Sequence, residues 1–305
     1  MSRKSAIVFG GGGFIGTNLC RRLLSSGYRV RAFGHSRLFP DALIDVEWIT
    51  GDLVDTAAVA RALEGAAIVF HLIHSTLPHA ANQSAVDTLR HTEPTLSLLD
   101  ACRGARITHF IFVSSGGTVY GNAAQIPTPE TAPSAPVTPY AVSNVAIEQS
   151  LAICRERDGL EYRVLRAANP YGPFQTANRK QGVIATMIKC ALQGDKIDIW
   201  GDGSVVRDFV FIDDVVNALL LAAATDSHHR IFNIGSGRGR SLLEVIAAIE
   251  EVLHQPLAIN WLRGRPSDVP VSVVAIDRAR EVLGWEPKVG FAEGLRRTIS
   301  WWRQR

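Results

Sequence analysis

Three glycines, Gly10, Gly13 and Gly16, stand at three-residue intervals in the run Ala6-Ile-Val-Phe-Gly-Gly-Gly-Gly-Phe-Ile-Gly16, between a short apolar stretch and a helical pattern. Without a Cβ at Gly10 and Gly13 the backbone can turn sharply and come close to a pyrophosphate, and Gly16 lets the following helix pack tightly on the strand. Helix amides around Phe14 and Ile15 then face the anion. Such spacing also occurs in ordinary turns; its place at the first strand-to-helix junction is what points to a dinucleotide. Asp52, with Leu53 beside it in Thr50-Gly-Asp-Leu53, can reach the adenine end or serve as a solvated turn residue. A carboxylate about twenty residues beyond the glycines normally meets the NAD ribose. Here the strand ends Ala32-Phe-Gly-His-Ser-Arg37, and Gly34 offers no carboxylate. His35, Ser36 and Arg37 can surround a ribose phosphate instead, so the cofactor is NAD or NADP, with the basic turn favouring NADP; a solvated turn with NAD held by backbone contacts is the alternative.

The elements that must position this turn are legible as an alternation. Ala6–Phe9, Tyr28–Phe33, Ala67–Leu72 and His109–Val113 read as strands, and Ile15–Leu24 as a helix ending near Gly27. Further helices are predicted at 54–63, 89–102 and 141–157, followed by a strand at 161–166. This is the order of βαβ units around a parallel sheet. Beyond residue 170 the alternation weakens, to a helix at 182–193, strands at 196–200, 209–212 and 231–234, and helices at 241–254 and 291–302. The expected fold is α/β: a Rossmann-type parallel sheet over residues 1–167 and about 209–236, and a smaller, discontinuous substrate-binding domain over about 168–208 and 237–305. Asp213 and Asp214 suit the start of a helix rather than a metal site.

Composition excludes several classes. With 32 Lys plus Arg against 29 Asp plus Glu, the formal charge of +3 is too small and too scattered to point to nucleic acid. No apolar run approaches the roughly 20 residues that span a bilayer. Cys20, Cys102, Cys154 and Cys190 lie far apart, with neither metal nor disulfide spacing, and the first residues read as a strand rather than a signal peptide, so a cytoplasmic protein is expected.

Beyond the glycine turn, Ser114-Ser-Gly-Gly-Thr-Val-Tyr-Gly121, Tyr140-Ala-Val-Ser-Asn144, Asn169-Pro-Tyr-Gly-Pro173, Arg207-Asp-Phe-Val-Phe-Ile-Asp-Asp214 and Arg265-Pro-Ser-Asp-Val269 follow in order. Together they resemble the extended short-chain dehydrogenase/reductase family, in particular its nucleotide-sugar epimerases and dehydratases, over nearly the whole chain. The resemblance makes Tyr140 the catalytic proton carrier, a role that phenol chemistry suits. It also implies a lysine four positions on, where Asn144 stands, and a hydroxyl at the position of Gly116. An asparagine offers only neutral hydrogen bonds, whereas an ammonium would ease ionisation of a phenol whose reference pKa is roughly 10. Ser115 is the provisional partner hydroxyl, with Thr118 in reserve; a strand-end role is the alternative for Ser115. His91 falls where the resemblance places an asparagine; helix packing is the preferred account of it, ahead of accepting a proton or bridging Asn144 through water. On the substrate side, Asn169, Arg207 and Arg265 match positions that contact a nucleotide diphosphate, and an arginine fork suits phosphate oxygens.

The resemblance implies reversible oxidation at C4 of a nucleotide-diphosphate sugar through a transient 4-keto sugar, in a homodimer joined through the helices at 89–102 and 141–157. Two other readings follow from these departures: an NADP-dependent ketoreductase, from Gly34 with His35 and Arg37 and from Asn144, whose phenol needs only to donate a proton, or a catalytically weak nucleotide-binding or assembly protein, from Asn144 and Gly116.

Overall fold

The computed structural model describes residues 4–74, 85–177, 182–264 and 269–305, with the backbone alone at 85–87 and 89–91. The chain opens as β1 (Ser5–Phe9), α1 (Phe14–Ser25), β2 (Arg29–Gly34), β3 (Glu47–Thr50), α2 (Thr56–Leu63), β4 (Ile68–His71), α3 (Ala85–Gly104), β5 (His109–Ser115), α4 (Pro139–Asp158) and β6 (Tyr162–Ala167). It continues as β7 (Asn169–Tyr171), α5 (Val183–Gln193), β8 (Ile197–Trp200), β9 (Val206–Phe211), α6 (Ile212–Ala224), β10 (Ile231–Ile234), β11 (Gly239–Ser241), α7 (Leu242–Leu253), β12 (Ile259–Leu262), β13 (Val271–Ser272), α8 (Asp277–Leu283) and α9 (Phe291–Arg303).

Among the described residues, β10-β6-β5-β4-β1-β2-β3 form one seven-stranded sheet, parallel at every pairing. Its central strand is the most apolar: Ala6 to Phe9 have no exposed surface, because helices cover both faces. Phe33, Phe70, Phe110, Phe112 and Phe232 from neighbouring strands are equally buried, each worth about 1.5–3 kcal/mol relative to exposure. After β1 the chain moves to β2 on one side, and after β3 it returns to β4 on the other. The crevice outside the carboxyl ends of β1 and β4 is therefore the topological switch point, where ligands of such sheets bind.

The run at 206–211 departs from the expected course. It pairs with β11, β13 and β7 in a second, smaller sheet, and the main sheet regains the chain only through α6 and β10. Asp213 and Asp214 do lie in the first turn of α6, but Asp214 directs its carboxylate elsewhere. It accepts from the amides of Lys288 at 3.0 Å and Val289 at 3.1 Å, while its carbonyl accepts from Trp285 Nε1 at 2.9 Å, which ties the C-terminal segment to the helix. No helix among the described residues is long and apolar enough to cross a membrane.

Candidate functional site

At the end of β1, Gly10 takes φ +84° and accepts from the Gly13 amide at 3.1 Å, closing the turn. A Cβ on Gly16 would land on the Gly10 carbonyl oxygen, so α1 seats directly on the turn. The helix starts at Phe14 with Gly13 as its N-cap, no side-chain cap and no acidic residue in its first turn. Such a helix start offers amide donors and a positive dipole end to an anion. Space is available as well, since a Cβ on Gly13 would meet only the Gly10 oxygen, at 3.4 Å. A dinucleotide diphosphate fits here, held by amides of the 13–15 segment.

Toward the adenosine end, His35 Nε2 lies 3.2 Å from Asp52 across the tips of β2 and β3. Arg37 sits 5.2 Å over the ring of Trp48, whose Nε1 donates to Thr50 Oγ1 at 2.9 Å. The sequence alone did not single out Trp48. Leu53 turns into the core cluster with Ile7, Phe9 and Phe33, so its side chain is not part of this surface.

The reaction centre is built where α4 begins. Thr138 caps the helix by accepting from the Ala141 amide, Pro139 occupies its first turn, and Tyr140 follows, with Asn144 one turn further on the same face. Burial raises the Tyr140 phenol above the ordinary tyrosine range, and hydrogen bonds from the Asn144 and Ser115 side chains only partly offset it. Asn144 also donates from Nδ2 to the Tyr140 carbonyl at 2.9 Å, while its Oδ1 is buried without a partner. An orphaned buried acceptor beside the phenol is what a ribose or sugar hydroxyl would satisfy.

Gly116 cannot carry the hydroxyl that the resemblance expects there. A Cβ at this position would sit 2.7 Å from the Arg166 carbonyl oxygen and 3.1 Å from Val274 Cγ1. The Gly116 amide extends the pairing of β5 with β6, donating to Ala167 at 2.8 Å, and Ser115 is the hydroxyl that reaches the phenol. Thr118 Oγ1 is buried without a partner. The His91 side chain lies outside the described residues.

Two histidines at the end of β4 complete this wall. His71 is fully buried, bonded to Thr95 Oγ1 at 3.0 Å and stacked 5.7 Å from Phe112. His74, which the sequence reading passed over, packs its ring 5.4 Å from Tyr140 and 5.9 Å from Phe112. Burial lowers both pKa values, to about 3 for His71 and about 4 for His74, the latter against a hydrogen bond to the Val113 backbone. Both are therefore neutral at pH 7.

The smaller sheet supplies the facing side. Asn169 Nδ2 donates to the Asp208 carbonyl at 2.9 Å, and Arg207 NH1 donates to the carbonyls of Val206 at 2.9 Å and Val269 at 2.7 Å. Asp208 is fully buried and accepts from the amides of Ser236 at 2.7 Å and Gly237 at 3.1 Å, which fixes the strand that carries Arg207. Ser272 pairs in register with Arg207 and donates to the Gly117 carbonyl at 3.4 Å, joining this sheet to the loop that follows Ser115. Ser272 was not legible in sequence because β13 is two residues long. Arg265 lies outside the described residues.

A parallel sheet with an anion-ready helix start at its switch point, and a phenol beside that crevice, defines a nicotinamide-dinucleotide enzyme of the extended short-chain dehydrogenase/reductase kind. The chain belongs to the NAD dependent epimerase/dehydratase family, which matches residues 6–235. UDP-glucose 4-epimerase of Mycolicibacterium smegmatis is 33% identical, with 98% of each chain covered. Among solved structures, UDP-glucose 4-epimerase of Thermotoga maritima with UDP-glucose is similar at a TM-score of 0.91 and 33% identity, covering 98% of this chain and 99% of that one. The Thermus thermophilus UDP-glucose 4-epimerase complex with NAD gives 0.89 and 31% over 98% and 99%.

Proposed function

We propose that this protein interconverts C4 epimers of a UDP-sugar through a transient 4-keto sugar. The observation that carries this reading is the buried Tyr140 phenol at the start of α4, with Asn144 one turn on and the His74 ring against it, and with Asn169 and Arg207 on the sheet that Ser272 joins to the loop after Ser115. A nicotinamide dinucleotide whose diphosphate is held by the glycine turn would supply the means to take up and return a hydride. The rest falls to the chain. Tyr140 takes the proton of the C4 hydroxyl when the sugar is oxidised and returns it when the ketone is reduced. Ser115 orients that oxygen, Asn144 holds the phenol, and Arg207 with Arg265 grips the diphosphate so that the sugar ring can turn without leaving. Incubation with UDP-glucose, UDP-galactose, UDP-N-acetylglucosamine and UDP-glucuronic acid should yield the C4 epimer of at least one, with no net change in the redox state of the cofactor. Failure with all of these and with GDP-sugars, alongside stoichiometric cofactor oxidation by ketones, would move the assignment to the ketoreductase. That second reading is favoured by one feature: Asn144 and His74, which meet the phenol among the described residues, are both neutral at pH 7.

The cofactor follows from the tip of β2. Arg37 on the Trp48 ring, with His35 beside it and Gly34 in place of a carboxylate, supports NADP over NAD. In parallel titrations NADP should bind more tightly, and Arg37→Ala should cut NADP affinity by about 10–100-fold, the worth of charge-assisted hydrogen bonds, while changing NAD affinity little. Tighter NAD binding by the parent would reverse the assignment.

The protein is proposed to be a homodimer. α3 and α4 lie side by side, and Leu96, Val142 and Ile153 leave apolar surface exposed on them; the last two are eleven residues apart, three helical turns, and share one stripe. Solution mass should read twice the chain mass, and a monomer across the working concentration range would reject it. Four unpaired cysteines, three of them buried, support the reducing cytoplasm as its location, which cell fractionation checks.

A further inference from the structure

We propose that His74 binds the ribose that carries the nicotinamide, its imidazole accepting a hydrogen bond from a ribose hydroxyl opposite the Asn144 Oδ1. The inference rests on the dinucleotide reading of the glycine turn.

Position is the first argument. The crevice at the switch point opens between the carboxyl ends of β1 and β4, and the backbone after β4 forms its floor: Leu72 donates to the Phe9 carbonyl at 3.0 Å, and a Cβ on Gly10 would stand 3.2 Å from the carbonyl carbon of Leu72 and from Ile73 Cγ1. His74 is the next residue, and its ring reaches Tyr140, 5.4 Å away between centroids. A dinucleotide that leaves its diphosphate on the glycine turn and brings its reactive ring to Tyr140 must therefore pass the imidazole.

Chemistry is the second. The His74 imidazole is neutral at pH 7, and a neutral imidazole carries one donor nitrogen and one acceptor nitrogen, so it can accept from a hydroxyl. Packing against Phe112 of β5 and Tyr140 of α4 fixes the ring beside the strand end that carries Ser114 and Ser115. One turn along α4 from Tyr140, Asn144 is 1% exposed and its Oδ1 lacks a donor. Two acceptors near Tyr140 can take up the two hydroxyls of a ribose, and neither brings a charge to the phenol. Asn144 and His74 together take up by neutral contacts a task that a cation would otherwise combine with ionising the tyrosine.

The test uses ADP, which ends at the diphosphate, and ADP-ribose, which adds the ribose, titrated calorimetrically against the parent, His74→Ala and His74→Phe; the 2′-phosphate forms of both are used if the parent binds them more tightly. The parent should prefer ADP-ribose. Both variants should lose about tenfold in ADP-ribose affinity, the worth of one neutral hydrogen bond in a closed site, and stay within about twofold for ADP. ADP binding doubles as the control for folding. Parent-like ADP-ribose affinity in His74→Phe, which keeps ring packing against Tyr140 and Phe112, would reduce His74 to a spacer and overturn the proposal. An equal loss of ADP would overturn it too, by making His74 a support of the glycine turn. A parent that binds neither ligand would instead bring down the dinucleotide reading itself.

Discussion

Tyr140→Phe should lower turnover of a UDP-sugar by about 10²–10⁴, the range for removal of a positioned acid-base group, while dinucleotide and UDP-sugar affinities stay close to the parent's. The ring contact with His74 survives this change; what goes is the hydroxyl that Ser115 and Asn144 hold. Turnover that persists in Tyr140→Phe would move the proton transfer to another group, and a parent with no turnover at all would leave a nucleotide-binding protein. The pH dependence has a definite sign. Because burial raises the phenol above its ordinary range, the protonated form prevails at neutral pH, so ketone reduction should be level through that range and fall only at strongly alkaline pH. Alcohol oxidation, which needs the phenolate, should rise with pH over the same span. Asn144→Lys puts a cation one helical turn from the phenol and should speed oxidation at pH 7 by about tenfold for each unit by which the phenol pKa drops. A folded Asn144→Lys enzyme with parental oxidation rates would show that phenol ionisation is not limiting.

Glu148→Ala should cost about 3–5 kcal/mol of folding stability, because it strands a buried guanidinium. The Glu148 and Arg166 side chains are 1% and 5% exposed and meet at 2.6 Å, with further contacts from Arg166 Nε at 3.1 and 3.2 Å. Ser114 Oγ donates to the same carboxylate at 2.5 Å, so the pair also anchors the strand end that delivers Ser115. Arg166 lies 4.8 Å over the Tyr120 ring, and the Tyr120 hydroxyl donates to Asn233 Oδ1 at 2.7 Å, carrying the network to β10. Denaturant unfolding measures the loss. A decrease below about 1 kcal/mol would mean that water reaches Arg166, whereas Glu148→Leu combined with Arg166→Met should recover much of the stability, since apolar replacement of both partners removes the stranded charge.

The glycine turn, Tyr140 and the parallel alternation were legible because each rests on local information: Gly10 and Gly16 on steric limits within one turn, Tyr140 on the short Tyr140-Ala-Val-Ser-Asn144 motif, the strands on continuous apolar runs. What escaped was set by contacts far apart in sequence. His74 follows the last strand-like residue of β4 and gains its meaning only when Phe112 and Tyr140 arrive from two other elements. β3, β7, β11, β12 and β13 are four residues or fewer, too short to show a period. The apolar run at 209–212 was grouped with the main sheet, yet the strand it belongs to pairs with β7, β11 and β13, all strands of that short kind. Gly116 read as a missing hydroxyl, while the neighbouring strand had already closed the space a side chain would need.

That crowding at Gly116 bears on what a substitution there can do. A serine at position 116 would not by itself add a second hydroxyl to the site, because its side chain would collide with the backbone of β6 before it met any sugar. The strand would have to shift first, and the shift would disturb the hydroxyl now presented from position 115.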